Sequence, residues 1–287
     1  MQLFSMLKRN SRIALRGSWG RGMLTLLIPA AGSALLHILL QLCEMALLPG
    51  PRQIPVIAAL GQDAGNPPQE YWPKLFLLGI FLVLSCLLLA PLGLGVTRWQ
   101  FQLVHGKSLP LSEVFHFFRG WTGYSRAVWY SVSIHLRSFF WAALCLGLPG
   151  GTLLLSLLYL QNNETKAAMS LGGIALVLSA ALLLLGVILC MICLNRYALA
   201  PYLLCEENCA GVGQAMKTSV SYTRGYRLNF FLYGLSFLGW LLLAVATLGL
   251  GALFTGPYMG TANAMYSRYV MEKNRYIPQQ ATREFKV

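Results

Sequence analysis

Long apolar runs alternate with short basic segments along this chain of 287 residues. A helix needs about 20 residues to cross the ~30 Å hydrocarbon core of a bilayer. Runs of that length extend over residues 23–48, 75–96, 138–160 and 168–194. The pattern therefore predicts four membrane spans that pair into two hairpins.

The last apolar stretch, residues 228–270, is too long for a single crossing at 1.5 Å per residue. A glycine-rich break at residues 248–251 divides it. We therefore expect a fifth and a sixth span. The fold class predicted is all-α: a polytopic membrane protein of about six transmembrane helices in three hairpins, with interfacial amphipathic helices.

These elements form a single membrane domain, because no polar block of domain size separates the spans. Two cytoplasmic connections and a cytoplasmic tail complete it. The predicted order is an interfacial helix at 1–21, hairpin 1 at 22–97, a connection at 98–137, hairpin 2 at 138–195, a connection at 196–227, hairpin 3 at 228–270 and the tail at 271–287.

The basic residues orient these spans, because Lys and Arg are enriched in short cytoplasmic loops. Of the 22 Lys and Arg residues, only Arg52, Lys74 and Lys166 fall outside the segments predicted to be cytoplasmic. A five-span arrangement would place the basic C-terminal tail outside. The asymmetry therefore favours six spans with both termini in the cytoplasm.

Composition agrees with a membrane class, since 56% of the residues are hydrophobic and only 11% are charged. The net charge of +13 is explained by basic residues that meet anionic lipid head groups at the cytoplasmic interface. These residues are spread over four segments, whereas a nucleic-acid binder clusters them on one face. Membrane lipids are therefore the expected partners, and nucleic acid is not required.

The N-terminal segment has the pattern of a helix that lies on the cytoplasmic face of the membrane. Its apolar face contains Phe4, Leu7 and Leu15. The opposite face carries four basic residues that we expect to contact lipid head groups: Lys8, Arg9, Arg12 and Arg16.

An internal repeat is suggested by Arg-Gly pairs that precede each odd-numbered span and are followed closely by an aromatic residue. The pairs are Arg16-Gly17, Arg119-Gly120 and Arg224-Gly225. Each even-numbered span or its cytoplasmic end also carries a small residue before proline, at Ala90-Pro91, Ala200-Pro201 and Gly256-Pro257. The predicted unit is an interfacial helix, a glycine turn and a two-span hairpin.

One face of the first span is polar, and it contains Ser33, His37, Gln41 and Glu44 within an arc of about 80°. We expect this face to point into the bundle, where Asn263 of the sixth span is a candidate to complete it. One interpretation is a polar pathway or ligand face. The alternative is that His37 and Gln41 hydrogen-bond a neighbouring helix while Glu44 lies at the outer interface.

Catalysis and metal binding find little support in the sequence. It contains no zinc-protease motif, no nucleophile elbow and no phosphate-binding glycine loop, and its one aspartate is Asp63. Cys205 and Cys209 flank Glu206 and Glu207 at a spacing that suits zinc, but no histidine lies nearby. We predict no enzyme activity, no metal and no cofactor.

Several segments carry a family resemblance. They are residues 7–20, 93–95, 111–115, 236–240, 247–251 and 257–258. Through them the chain resembles an uncharacterised family of bacterial multi-pass membrane proteins, the domain of unknown function 975. The resemblance implies a bacterial plasma-membrane protein, and it implies no catalytic or binding residues.

The sequence thus favours a non-enzymatic membrane protein. Within that class it leaves open an accessory or regulatory component and a permease-like protein that handles small solutes or lipids. The alternative is a helical scaffold that assembles with membrane-protein partners or with copies of itself.

Overall fold

The computed structural model describes residues 2–47, 71–107, 109–162, 166–206 and 211–284. These residues form helices and no strand. In chain order the α-helices are α1 (Gln2–Ala14), α2 (Trp19–Leu47), α3 (Tyr71–Val104), α4 (Trp121–Asn162), α5 (Lys166–Leu194), α6 (Ala200–Leu204), α7 (Val212–Tyr222), α8 (Arg227–Leu235), α9 (Leu238–Ala246) and α10 (Ala252–Glu284). Two 3-10 helices, Leu111–Phe118 and Asn195–Tyr197, connect α3 to α4 and α5 to α6.

Within the described residues, five stretches are long and apolar enough to cross a membrane: Trp19–Ala46, Trp72–Val104, Trp121–Gln161, Ser170–Leu204 and Arg227–Ala246. They confirm an all-α membrane protein. The sixth predicted span is not among them. It falls in α10, where Thr255, Thr261 and Ser267 interrupt the apolar residues and charged residues follow from Arg268.

The buried core lies at one end of the bundle, where α1, the 3-10 helix Leu111–Phe118 and α7 are found; we call it the basic end. Trp99, Tyr233 and Tyr266 are its largest fully buried side chains. Along the spans, by contrast, Leu82 is 67% and Leu148 82% exposed. Apolar side chains on a membrane helix need no protein cover, because lipid tails are as apolar as leucine.

Aromatic rings connect α1, α8 and α10 in this core. The ring centroids of Tyr233 and Tyr266 are 4.8 Å apart, and Phe4 of α1 lies 5.2 Å from Tyr233. The hydroxyl of Tyr233 donates a hydrogen bond of 3.1 Å to the carbonyl of Ala262. Helix α1 is therefore packed against protein through its apolar face, with Leu7 and Leu15 buried, rather than lying free on a lipid surface.

Hairpin 3 consists of α8 and α9, which lead away from the basic end, and α10, which returns to it. Phe237 and Tyr258 face each other across the hairpin at 5.6 Å. The turn contains Leu248 (φ 53°) and Gly249 (φ 91°). Midway along α10, the Arg268 side chain donates a 2.8 Å hydrogen bond to the Val104 carbonyl of α3, so α10 returns to the basic end.

Hairpin 2 differs from the predicted boundaries. Helix α4 begins at Trp121 rather than at residue 138, so much of the predicted connection 98–137 is helical. Helix α5 ends at Leu194, and Pro201 lies in the separate helix α6. A proline at the first turn of a helix removes no internal hydrogen bond, which explains why the chain restarts there.

The turns after α1 and α7 have the same backbone structure. Gly17 and Gly225 both have positive φ, 76° and 86°. The amide of Arg16 bonds the Ile13 carbonyl, as the amide of Arg224 bonds that of Ser221. Gly120 does not have positive φ, and a 3-10 helix stands where the second amphipathic helix is predicted. The first and third segments therefore match more closely than the second.

Candidate functional site

A groove of about 950 Å³ opens between α3 and α4, with Pro201 of α6 at one end. Its described lining carries no Asp, Glu, Lys or Arg. The walls are formed mainly by apolar side chains, among them Leu82, Leu89, Leu94, Ile134, Leu136 and Phe139. The volume lies within the usual range for small-molecule sites, and these walls suit a hydrocarbon chain.

Three polar side chains meet on the wall of the groove. The imidazole Nδ1 of His135 lies 2.7 Å from the Ser131 carbonyl oxygen and 3.3 Å from the Ser131 hydroxyl. The Cys86 thiol of α3 lies 3.8 Å from the same hydroxyl. Because the described lining holds no carboxylate to orient the imidazole, the cluster lacks the third member of a catalytic triad. These groups can hydrogen-bond a polar atom of a bound molecule.

An ion-pair network holds the 3-10 helix Leu111–Phe118 against α3, on the side of the groove toward the basic end. The Glu113 carboxylate lies 3.1 Å from Nε of Arg98, 2.9 Å from Nδ1 of His116 and 3.6 Å from the Arg119 guanidinium. Arg98 also donates a hydrogen bond of 3.3 Å to the Cys205 carbonyl. Burial lowers the pKa of His116 below its ordinary value of 6.5, and the charge of Arg98 lowers it further.

Glycine permits the close contact beneath this network. A Cβ atom on Gly95 would lie 1.8 Å from the Val114 carbonyl oxygen, so only glycine fits there. Val114 itself is fully buried. The contact holds the part of α3 that lines the end of the groove, at Leu94 and Thr97, against the 3-10 helix.

The family model for a protein of unknown function, DUF975, matches residues 1–274. The chain belongs to the DUF975 family. No curated protein matches it. No solved structure matches it either.

In this DUF975 member, the polar face predicted on the first span does not lie inside the bundle. Ser33, His37 and Gln41 are exposed on α2, and Glu44 is partly exposed. Gln41 and His37 contact each other at 3.3 Å. Asn263 is exposed on α10 and is not brought to this face.

The length of hairpin 3 explains that exposure. Near the start of α2, Gly22 packs against Pro257 of α10, and Gly256 of α10 faces Leu26 of α2. On an ideal helix Ser33 and His37 lie within about 60° of Gly22, so the polar face continues the packed face. Since α10 begins at Ala252, no described element of hairpin 3 extends far enough along α2 to cover it.

The four residues predicted to contact head groups lie at the basic end. Arg9, Arg12 and Arg16 are exposed. Lys8 instead donates a 2.9 Å hydrogen bond to the Ser236 carbonyl of hairpin 3. Their role toward lipid stays a prediction.

The zinc alternative involves residues that are only partly described. Glu207 and Cys209 lie outside the described residues. Cys205 is buried with its thiol 3.9 Å from the Leu94 carbonyl, and Glu206 pairs with Arg275. Across the described part of the chain, no three potential ligands come together.

Sequence reasoning missed Cys86, Ser131 and His135 as a group. Ser131 and His135 are one helical turn apart, which would place them on one face had residues 121–137 been read as helix. Their contact with Cys86 depends on how α4 crosses α3. No local pattern encodes that crossing.

Proposed function

We propose that this protein is a non-enzymatic membrane protein that binds a lipid acyl chain in the groove between α3 and α4. The groove itself carries the proposal, because it is about 950 Å³ in volume, mainly apolar, and formed by two stretches long enough to span a bilayer. Lipid is the solvent around such helices. A hydrocarbon chain is therefore the occupant with the easiest access and the best match to the walls.

The polar cluster supports binding of an amphiphile rather than of pure hydrocarbon. Ser131, His135 and Cys86 offer donors and acceptors on one wall. Thr97, nearer to the basic end, offers another hydroxyl in the lining. An ester or hydroxyl of a lipid can thus be hydrogen-bonded where the acyl chain enters.

The test compares two glycines on the same helix. Neither Gly93, in the groove lining, nor Gly79, outside it, has any atom within 4 Å of an added Cβ. Gly93→Leu should fill the groove and reduce labelling of α3 and α4 by a photoactivatable phospholipid about tenfold, a loss of about 1.4 kcal/mol in binding. Gly79→Leu is the matched control and should label as the wild type does. Equal labelling of the two variants contradicts the proposal.

Assembly with a second membrane chain is the other candidate function, and the exposed face of α2 favours it. Ser33, His37 and Gln41 would otherwise face lipid, which is unfavourable for hydrogen-bonding groups. A helix of another chain, including a second copy, would satisfy them. In a background without native cysteines, Ser33→Cys should form disulfide-linked dimers in membranes, whereas Leu35→Cys on the opposite face should not. Absence of cross-linking at both positions speaks against this candidate.

We also propose a bacterial plasma-membrane location with both termini in the cytoplasm. The return of α10 to the basic end supports termini on one side, and the distribution of Lys and Arg supports the cytoplasmic side. The shared turns at Gly17 and Gly225 support an internal repeat of which the first and third copies are the better preserved.

A further inference from the structure

Three arginines from three elements lie around the 3-10 turn Asn195–Tyr197: the side chains of Arg137 and Arg196 contact aromatic rings, and the backbone of Arg227 is hydrogen-bonded to the turn. Arg196 belongs to the turn, with its guanidinium 4.7 Å from the Trp141 ring centroid of α4. Arg137, one helical turn earlier on α4, lies 5.9 Å from the Tyr197 ring. At the start of α8, the Arg227 carbonyl accepts a 3.3 Å hydrogen bond from the Asn195 side chain.

Two of these arginines have a buried N–H donor without a partner in the described part of the chain. The Nε atoms of Arg196 and Arg227 are buried and have no hydrogen-bond partner among the described residues. No carboxylate of the described chain forms an ion pair with Arg137, Arg196 or Arg227. A buried donor without a partner costs about 1–3 kcal/mol, more when it is charged. The positive charge gathered here is therefore uncompensated by protein.

The surroundings fix the positions of two of these side chains. Trp141 and Tyr197 present ring faces to Arg196 and Arg137, and Arg137 also donates a 3.1 Å hydrogen bond to the Ser133 carbonyl. A guanidinium stacked on a ring loses little freedom when its remaining N–H groups bind an oxyanion. The fork of N–H donors matches two oxygens of a phosphate.

We infer that Arg137, Arg196 and Arg227 form a binding site for a phosphate group, carried by an anionic phospholipid. The site lies where apolar α5 ends and the chain becomes polar, which is the level of lipid head groups. The site shares no residue with the described lining of the groove, which contains none of Arg137, Arg196 and Arg227.

The experiment is calorimetric titration of the full chain in detergent with three ligands: short-chain phosphatidylglycerol, short-chain phosphatidylcholine and inorganic phosphate. Wild type should bind phosphatidylglycerol, and Arg196→Gln and Arg227→Gln should each weaken that binding about tenfold. Arg196→Lys keeps the positive charge but lacks the paired N–H donors of a guanidinium. Its affinity for phosphatidylglycerol should lie between those of wild type and Arg196→Gln. Arg224→Gln removes an exposed arginine close by in sequence and should change affinity less than twofold.

The three ligands separate the possible sources of the phosphate. Tighter binding of phosphatidylglycerol than of phosphate identifies a lipid head group, and equal binding identifies a soluble phosphate as the ligand of the same site. Retention time on size-exclusion chromatography checks the fold of each variant. If Arg196→Gln does not fold, the affinities of Arg137→Gln and Arg227→Gln for phosphatidylglycerol provide the test instead. The inference is overturned if wild type binds neither anion, or if Arg224→Gln loses as much affinity as the cluster variants.

Discussion

The amino group of Lys8 lies 4.2 Å from the centre of the Phe237 ring. A charged amine stays near the membrane surface, so this contact fixes the depth of hairpin 3. From Phe237 to the turn at Leu248, a helix rising 1.5 Å per residue gains only about 15 Å. That is half of the ~30 Å hydrocarbon core. Although the stretch Arg227–Ala246 is long and apolar enough to cross, we therefore expect hairpin 3 to enter the bilayer and return without crossing it.

This depth predicts the accessibility of the turn. In a background without native cysteines, Leu248→Cys should resist membrane-impermeant thiol reagents from both sides, because the turn is apolar and lies within the hydrocarbon. Cysteines at positions 63 and 163, which fall outside the described residues, should react from outside. Labelling at position 248 from outside would instead support six complete spans.

Replacing Lys8 should loosen α1 from hairpin 3. Lys8→Met loses the hydrogen bond to Ser236 and the contact with Phe237, together about 1–2 kcal/mol. Thermal unfolding in detergent should show a lower midpoint. Arg9→Met, which changes an exposed basic residue one position away, is the control. A midpoint equal to that of the control would show that the contact contributes nothing.

Gly95→Ala should be strongly destabilising. The added Cβ would overlap the Val114 carbonyl oxygen, and backbone cannot move aside as a flexible side chain can. We expect a loss above about 2 kcal/mol, measured as the shift in apparent unfolding midpoint. Gly79→Ala on the same helix meets no atom within 4 Å and should raise stability by up to about 1 kcal/mol, because alanine is the better helix former. Similar changes in stability for both would argue against close packing of α3 on the 3-10 helix.

The lowered pKa of His116 predicts a pH dependence of stability. Because the folded-state pKa lies below 6.5, the unfolded chain binds more protons as the pH falls from 7 toward 5. The contribution of His116 to stability is therefore full above its unfolded pKa and is lost below it. His116→Gln should remove part of the drop in unfolding midpoint between pH 7.5 and 5.5. An unchanged drop in His116→Gln would show that other groups cause it.

The sequence predicted an all-α membrane protein with several long apolar helices, because hydrophobic length is a local property of each segment, but the count of six is not confirmed. It did not predict where the core lies, since the contact of Tyr233 with Tyr266 joins distant segments. His37, which the sequence places on an inward face, is exposed in the structure, because nothing local indicates how far hairpin 3 extends along α2. The groove depends on the crossing of α3 and α4, which is likewise non-local.

The most direct test of the central proposal is to map where a photoactivatable acyl chain attaches to the wild-type protein in membranes, by mass spectrometry of the labelled peptides. Binding in the groove predicts that labelling concentrates on residues 82–97 of α3 and 130–139 of α4, and that excess unlabelled phospholipid reduces it. Labels spread evenly over all lipid-facing helices, including exposed residues of α5 such as Leu171 and Leu184, would contradict a lipid site between α3 and α4.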